Sequence, residues 1–336
     1  MRPDVLAIMS TNHGLITRAQ ARAAGLTGRE IDRYVRTGSW VAVRRGVYVD
    51  AELHAALTTL TDKQRLRDRA ACLSINVPYV RSHTTSALEQ EIAVLLPPSP
   101  MTHVTRPCVG THNKNGIKHH LAPYRPDQVI EVHGFKVLDP VRTAIDIARE
   151  HGHPYGVVAV DRVRWMGHPI SEFEAVLESM IHWPDRRRAV FAVARSDDGA
   201  ESIGETLARD LLEEMGYTGI STQFGLTDGR REAWADLRVG RHLVEFDGKL
   251  KILGRQRGGV ALRRAEDVVW DEKVREDFLR GFHLGMSRLT WSDVWGNGRE
   301  AAKRRLEREI SATNALWGTS IADLERYIIR RRRRAA

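Results

Sequence analysis

The sequence predicts a multidomain chain of α/β and α+β class, and three observations carry that reading. Three short helical patterns and a hairpin fill the first fifty residues. Short strands and helices then intermix without any internal repeat. From about residue 197 there follow a helix, an apolar-alternating hairpin, a further helix and an apolar strand. At 336 residues the chain exceeds one ordinary domain. Boundaries are placed at 1–55 for a winged helix-turn-helix, 56–196 for an α+β middle domain, 197–322 for an α/β domain and 323–336 for a basic tail.

Pro3 to Thr11 is helical in pattern. After the turn Asn12-His13-Gly14, the segment Thr17 to Ala24 has Ala-rich helix propensity, and Gly25 ends it. Thr27-Gly28-Arg29-Glu30 sets Thr at an N-cap with Glu three residues on, a capping box opening a helix that runs to about Thr37. Trp40 to Val49 reads as a hairpin with a basic turn. Three helices followed by a hairpin make a winged helix-turn-helix, whose third helix enters the major groove. That helix carries Arg29, Arg33 and Arg36, the wing carries Arg44 and Arg45, and Arg18 opens the second helix. These six are the expected DNA contacts. Eight arginines against four acids in the first fifty residues put positive charge where a duplex would lie.

In the middle domain, Thr61 to Leu73 and Thr84 to Gln90 read as helices. Met101 to Arg106, Gly116 to Leu121, Val129 to Val132 and Phe135 to Leu138 read as strands. Asp139-Pro140 then starts a helix with Pro at its first position. Many of the histidines lie here, among them His83, His103, His112, His119, His120, His133, His151 and His153. Their spacings match no zinc signature, and adjacent His119 and His120 in a strand point to opposite faces, so no zinc site is expected.

Glu201 to Gly216 is an amphipathic helix with Leu207, Leu211, Leu212 and Met215 on one side. Ala235 to Lys249 reads as two strands joined by a Gly240-Arg241 turn of type II′. In that register Val239 faces His242, Asp236 faces Glu245, and Asp247 returns to the face of Glu245. Three carboxylates so placed repel unless a cation lies between them, and Mg²⁺ suits an all-oxygen site. Asp236 and Glu245 are the expected metal ligands. Phosphodiester hydrolysis also needs charge neutralisation at phosphate, for which Lys249, Lys251 and Lys273 are candidates. Glu205, and Glu201 one turn earlier, could add a ligand or orient water. A helix at about Glu272 to Gly281, a strand Leu284 to Leu289, a helix Arg299 to about Leu316 and a terminal helix running into Arg330 to Arg334 complete the reading.

A formal net charge of +9 favours a polyanionic partner over a neutral small molecule. No apolar run approaches a membrane span, and Met1-Arg2-Pro3-Asp4 opens no signal peptide, so a cytoplasmic protein without membrane contact is expected. Cys72 and Cys108 read as buried, reduced thiols. Gly254-Arg255-Gln256-Arg257-Gly258-Gly259 fits neither glycine-rich phosphate loop, which argues against nucleotide binding.

The order helix glutamate, strand aspartate, Glu245-Phe246-Asp247-Gly248, then Glu272 to Arg280 and Arg288-Leu289-Thr290-Trp291-Ser292-Asp293, resembles the very-short-patch-repair-like branch of the restriction-endonuclease (PD-(D/E)XK) superfamily. Gly14 to Ala21 through Arg44-Arg45-Gly46-Val47-Tyr48 resembles the winged helix of the abortive-infection type IV antitoxin (AbiEi) family. The two resemblances cover about residues 1–55 and 197–295, with a weaker antitoxin-like similarity between them. The first implies a restriction-endonuclease-like C-terminal domain with Asp236 as metal-binding aspartate, Glu245 as second carboxylate and Glu205 as helix glutamate. The superfamily's usual lysine position is Asp247 in this chain, so the lysine must be Lys249, Lys251 or Lys273, or be absent. The expected activity is Mg²⁺-dependent cleavage of double-stranded DNA. The alternative is a non-catalytic autorepressor that uses the nuclease fold as scaffold, with a cognate toxin or another phage-defence component as partner.

Overall fold

The computed structural model describes residues 2–107, 110–248 and 265–329, the side chains of 265–272 excepted. These fall into two compact units, residues 1–159 with 170–193 and residues 160–169 with 194–336.

The first unit opens with α1 (Pro3–Thr11), β1 (Leu15–Thr17), α2 (Arg18–Ala23), α3 (Gly28–Arg36), β2 (Trp40–Arg44) and β3 (Val47–Asp50), the strands ordered β1-β3-β2. The order matches the expected winged helix. Local chemistry sets its helix starts: Thr27 Oγ1 accepts from the Glu30 amide at 3.2 Å, while Glu30 Oε2 accepts from the Thr27 amide at 2.7 Å. Thr17 and Gln20 form a second capping box. Val5, Ile16, Ala21, Ile31 and Trp40 close the core beneath the helices.

The unit continues through α4 (Ala51–Ala56), α5 (Leu60–Cys72), β4 (Val80–Arg81), α6 (His83–Glu89), β5 (Thr102–Arg106), β6 (His112–Lys114), β7 (Ile117–Leu121), β8 (Val129–Val132), β9 (Phe135–Leu138), α7 (Pro140–His151), α8 (Tyr155–Trp165), α9 (Ile170–Glu178) and α10 (Arg186–Ala194). Helix α8 runs across the division between the units. The six strands form a mixed sheet ordered β6-β7-β5-β4-β9-β8, with β5/β7 and β4/β9 parallel. As expected, Asp139 caps α7, its Oδ1 accepting from the Arg142 amide at 2.9 Å, with Pro140 at the first position. No break in packing follows residue 55, because Leu15, Val47 and Val49 share a core with Leu66 and Ala70 of α5. Beneath α6 lies a buried polar layer in which Glu89 is held by Arg69 at 2.7 Å and by Arg81. Asp68 accepts there from Gln64, Thr85 and Thr102.

The second unit carries α11 (Ile203–Glu214), β10 (Ser221–Thr227), β11 (Glu232–Val239), β12 (His242–Phe246), α12 (Ala265–Arg280), β13 (Gly285–Leu289), α13 (Trp291–Val294), α14 (Arg299–Trp317) and β14 (Ile328–Ile329). The sheet is ordered β13-β12-β11-β10-β14 and is antiparallel except for β12/β13. Val239 pairs with His242 and Leu237 with Val244, the expected register. Gly240 has φ +54, as the first central position of a II′ turn requires. Helix α11 packs its first turn against β12, where a Cβ at Gly204 would collide with the Phe246 ring. The chain end departs from expectation. Instead of a terminal helix, residues Ala322–Tyr327 form a 3-10 segment and β14 pairs with β10. The buried Leu324 anchors this segment to the core of Phe224, Leu243 and Leu279. Arg330 to Arg334 and Gly254 to Gly259 lie outside the described residues. Among the described residues no helix is long and apolar enough to cross a membrane.

Candidate nucleic-acid interface and carboxylate site

The winged helix leaves a groove of about 630 Å³ between α3 and the wing, lined by Arg36, Arg44, Arg45, Asp32 and Tyr48 among others. Arg29, Arg33, Arg36 and Arg45 are exposed, Arg44 is half-buried, and Gly46 takes φ +75 at the wing turn. Arg18 is engaged within the domain: it donates to Asp32 Oδ1 at 2.8 Å and to Tyr48 Oη at 3.2 Å, tying α2 to α3 and the wing. The same guanidinium lowers the Asp32 pKa. Arg44 also donates to the Asn115 carbonyl at 3.3 Å. The groove therefore presents exposed guanidiniums on two elements beside a helix of major-groove-reader type.

In the second unit, adjacent strands carry Asp236 and Glu245, and each carboxylate has its own partners. Asp236 Oδ2 accepts from the Phe246 amide at 2.8 Å. Glu245, 6% exposed, lies on the face covered by α12. Arg275 stands 2.6 Å from its Oε1 and donates to Oε2 at 2.7 Å; Arg288, its register partner on β13, lies 3.8 Å away. The Oε1 contact is Coulombic rather than a directed hydrogen bond. Arg275 also donates to the Trp234 carbonyl at 2.6 Å, which fixes the guanidinium over β11. Asp247 follows the strand, its amide donating to the Leu289 carbonyl at 2.7 Å.

Glu205 is buried at the start of α11, where its oxygens accept from the Glu201 amide at 2.8 Å, Ser202 Oγ at 2.8 Å and Gln223 Nε2 at 3.1 Å. Burial raises its pKa, against those hydrogen bonds. Lys273 is exposed on α12, while Lys249 and Lys251 lie outside the described residues.

Among the described residues, Glu205, Asp236, Glu245 and Asp247 do not gather three ligand oxygens within 4.8 Å of one another. The cations beside Glu245 among the described residues are guanidiniums. Repulsion between carboxylates is relieved here by arginines from α12 and β13, which hairpin spacing does not reveal.

Three histidines do gather elsewhere. His83, His103 and His120 place one ring nitrogen each within 4.8 Å of the others, and all three are buried. His119 and His120 point to opposite faces as expected, His119 stacking on His112 and His120 on His83. The partners of His120 come from the α6 start and from β5, brought alongside by the parallel register of Thr105 with His120. A ligand pattern sought along one segment misses such a cluster. Burial holds His83 and His103 well below the ordinary histidine pKa and His120 at about 4, so all three are neutral at physiological pH. Cys72 is buried and free, with its thiol pushed up to about 11 by burial; Cys108 lies outside the described residues.

No curated protein matches the chain. Residues 4–49, the winged helix with its two capping boxes and basic wing, match the family described as "Transcriptional regulator, AbiEi antitoxin".

Proposed function

We propose that this chain is a double-stranded-DNA-binding transcriptional regulator of the AbiEi antitoxin type, acting in the cytoplasm and reading duplex DNA through its N-terminal winged helix. One observation carries the reading: the groove between α3 and the wing is lined by Arg36, Arg44 and Arg45 within the segment that matches the antitoxin family. Exposed guanidiniums on two elements suit phosphates flanking a major groove entered by α3. Regulators of this type act on their own promoters, and a toxin encoded beside the gene is the partner that follows. A gel shift with the DNA upstream of the gene should give a complex that random duplex competes poorly. Equal competition by random duplex would remove the promoter from the proposal.

A second reading, a Mg²⁺-dependent endonuclease using Asp236 and Glu245, is favoured by the order of elements in the second unit. A helix, three antiparallel strands, a helix and a strand parallel to the third bring both carboxylates onto adjacent strands. Against it stands the pairing of Glu245 with Arg275 and Arg288. Plasmid incubated with the full chain and Mg²⁺ separates the readings. Nicking that Asp236→Ala abolishes supports the enzyme, and its absence over a range of divalent ions leaves the regulator.

A further inference from the structure

We propose that His83, His103 and His120 form a binding site for a zinc-class divalent transition-metal ion within the first unit. Three imidazoles gathered from different elements, with a nitrogen of each within 4.8 Å of the others, are the donor set such ions take, and three protein ligands leave a fourth position for water or an exogenous group. The cluster is built rather than incidental. The Ser82 amide donates to the His103 carbonyl at 3.2 Å, and the His103 amide donates to Thr85 Oγ1 at 2.8 Å, so the α6 start and β5 are locked together at the site. Ser82 Oγ lies 2.9 Å from His83 Nδ1, a hydrogen bond of the second-sphere kind that orients a ligand ring, with Nε2 the nitrogen remaining for an ion.

His83 stacks on His120 with ring centroids 3.9 Å apart and planes 17° apart. His103 Nδ1 and His120 Nε2 are 2.9 Å apart. Two nitrogens bound tetrahedrally at the usual Zn–N length stand about 3.3 Å apart. The 2.9 Å contact is a ring-to-ring hydrogen bond and the three ring planes lie within 16–23° of one another, so metal entry displaces the shared proton and turns the rings as well as parting them. His83 sits at φ +51, a backbone position that non-glycine residues rarely hold and that collects at functional sites. The rings of His83 and His120 line a cavity of about 540 Å³ shared with Lys118, Asp146, Arg149 and Trp183. Arg142 and Arg149, each 2.9 Å from Asp146, hold that carboxylate in the cavity wall, close enough to act on His120. His151 turns its edge to His103 with ring centroids 5.9 Å apart, and its Nε2 is buried without a partner among the described residues. The open side of the trio therefore faces a polar, partly cationic space.

The test is a Co²⁺ titration of the chelator-treated full chain, followed by visible absorption and by equilibrium dialysis with Zn²⁺. The proposal expects one ion per chain, with the d–d bands of a low-coordinate nitrogen site. His120→Gln should weaken binding by more than about 100-fold, since losing a mere second-sphere partner costs 10–100-fold. His119→Gln, one residue away on the opposite face, should leave it unchanged. His103→Gln, on a different strand, repeats the test should His120→Gln fail to fold. No binding by the parent chain, equal binding by the His119 and His120 variants, or loss of binding on Asp236→Ala would each overturn the site.

Discussion

Removing Arg275 should cost more stability than neutralising Glu245, although both changes break the same ion pair. The asymmetry comes from burial: the Glu245 side chain is 8% exposed, whereas Arg275 and Arg288 are 28% and 39% exposed. Among the described residues, Arg275→Ala leaves the desolvated carboxylate with Arg288 at 3.8 Å, and it deletes the hydrogen bond to the Trp234 carbonyl. Breaking a buried pair from the exposed side costs about 3–5 kcal/mol, and the remaining arginine places this case near the lower figure, about 3 kcal/mol. Glu245→Gln leaves two guanidiniums that water reaches, at a cost of about 1 kcal/mol. Urea titration of the full chain measures both. In a domain of this size, 3 kcal/mol corresponds to a fall in Tm of about 6–12 °C for Arg275→Ala. A Glu245→Gln protein as unstable as Arg275→Ala, or more so, would refute the reasoning. A Mg²⁺ concentration that restores stability to Arg275→Ala but does nothing for the parent would show that the carboxylates can take an ion once the arginine is gone.

The remaining predictions concern the first unit. Burial pushes Asp68 up to about 7, so the folded chain holds a proton there that the unfolded chain releases near 3.8. Its stabilising contribution is therefore present at low pH and lost as pH rises through 7. Between pH 7.5 and 5.5 the parent should gain on the order of 2 kcal/mol relative to Asp68→Asn, read from paired urea titrations, and a difference of opposite sign would contradict the assignment. Thr27→Ala removes the cap of α3 and should cost about 1 kcal/mol, with weaker DNA binding as the helix end frays; unchanged stability would mean the box contributes nothing.

What was legible in the sequence was local. Thr27 and Glu30, Asp139 and Pro140, and Gly240 at its turn each act within a few residues, and each stands where the spacing placed it. The β11/β12 register was legible for the same reason. The partners of Glu245 were not, because Arg275 lies thirty residues on and Arg288 enters through a parallel pairing that no short-range pattern encodes. Lys249 and Lys251 were the first candidates by charge and lie outside the described residues; Lys273, the further one, stands exposed on α12, and Arg275 reaches the carboxylate. The histidine trio was hidden in the same way, since His83, His103 and His120 meet only after β4, β5 and β7 are laid side by side. At the chain end, two isoleucines and Leu324 outweigh a helical reading of a charged segment by finding an open sheet edge and a core to fill.

The central claim is that the winged helix holds duplex DNA through the α3 and wing arginines. It is tested most directly by the salt dependence of binding for the parent and for Arg36→Ala/Arg45→Ala, two exposed residues that line the groove. Each phosphate contact contributes about −0.9 to the slope of log K against log salt. The double substitution should therefore flatten the slope by about 1.8 while weakening binding at low salt. An unchanged slope and affinity would place the DNA contact elsewhere on the chain.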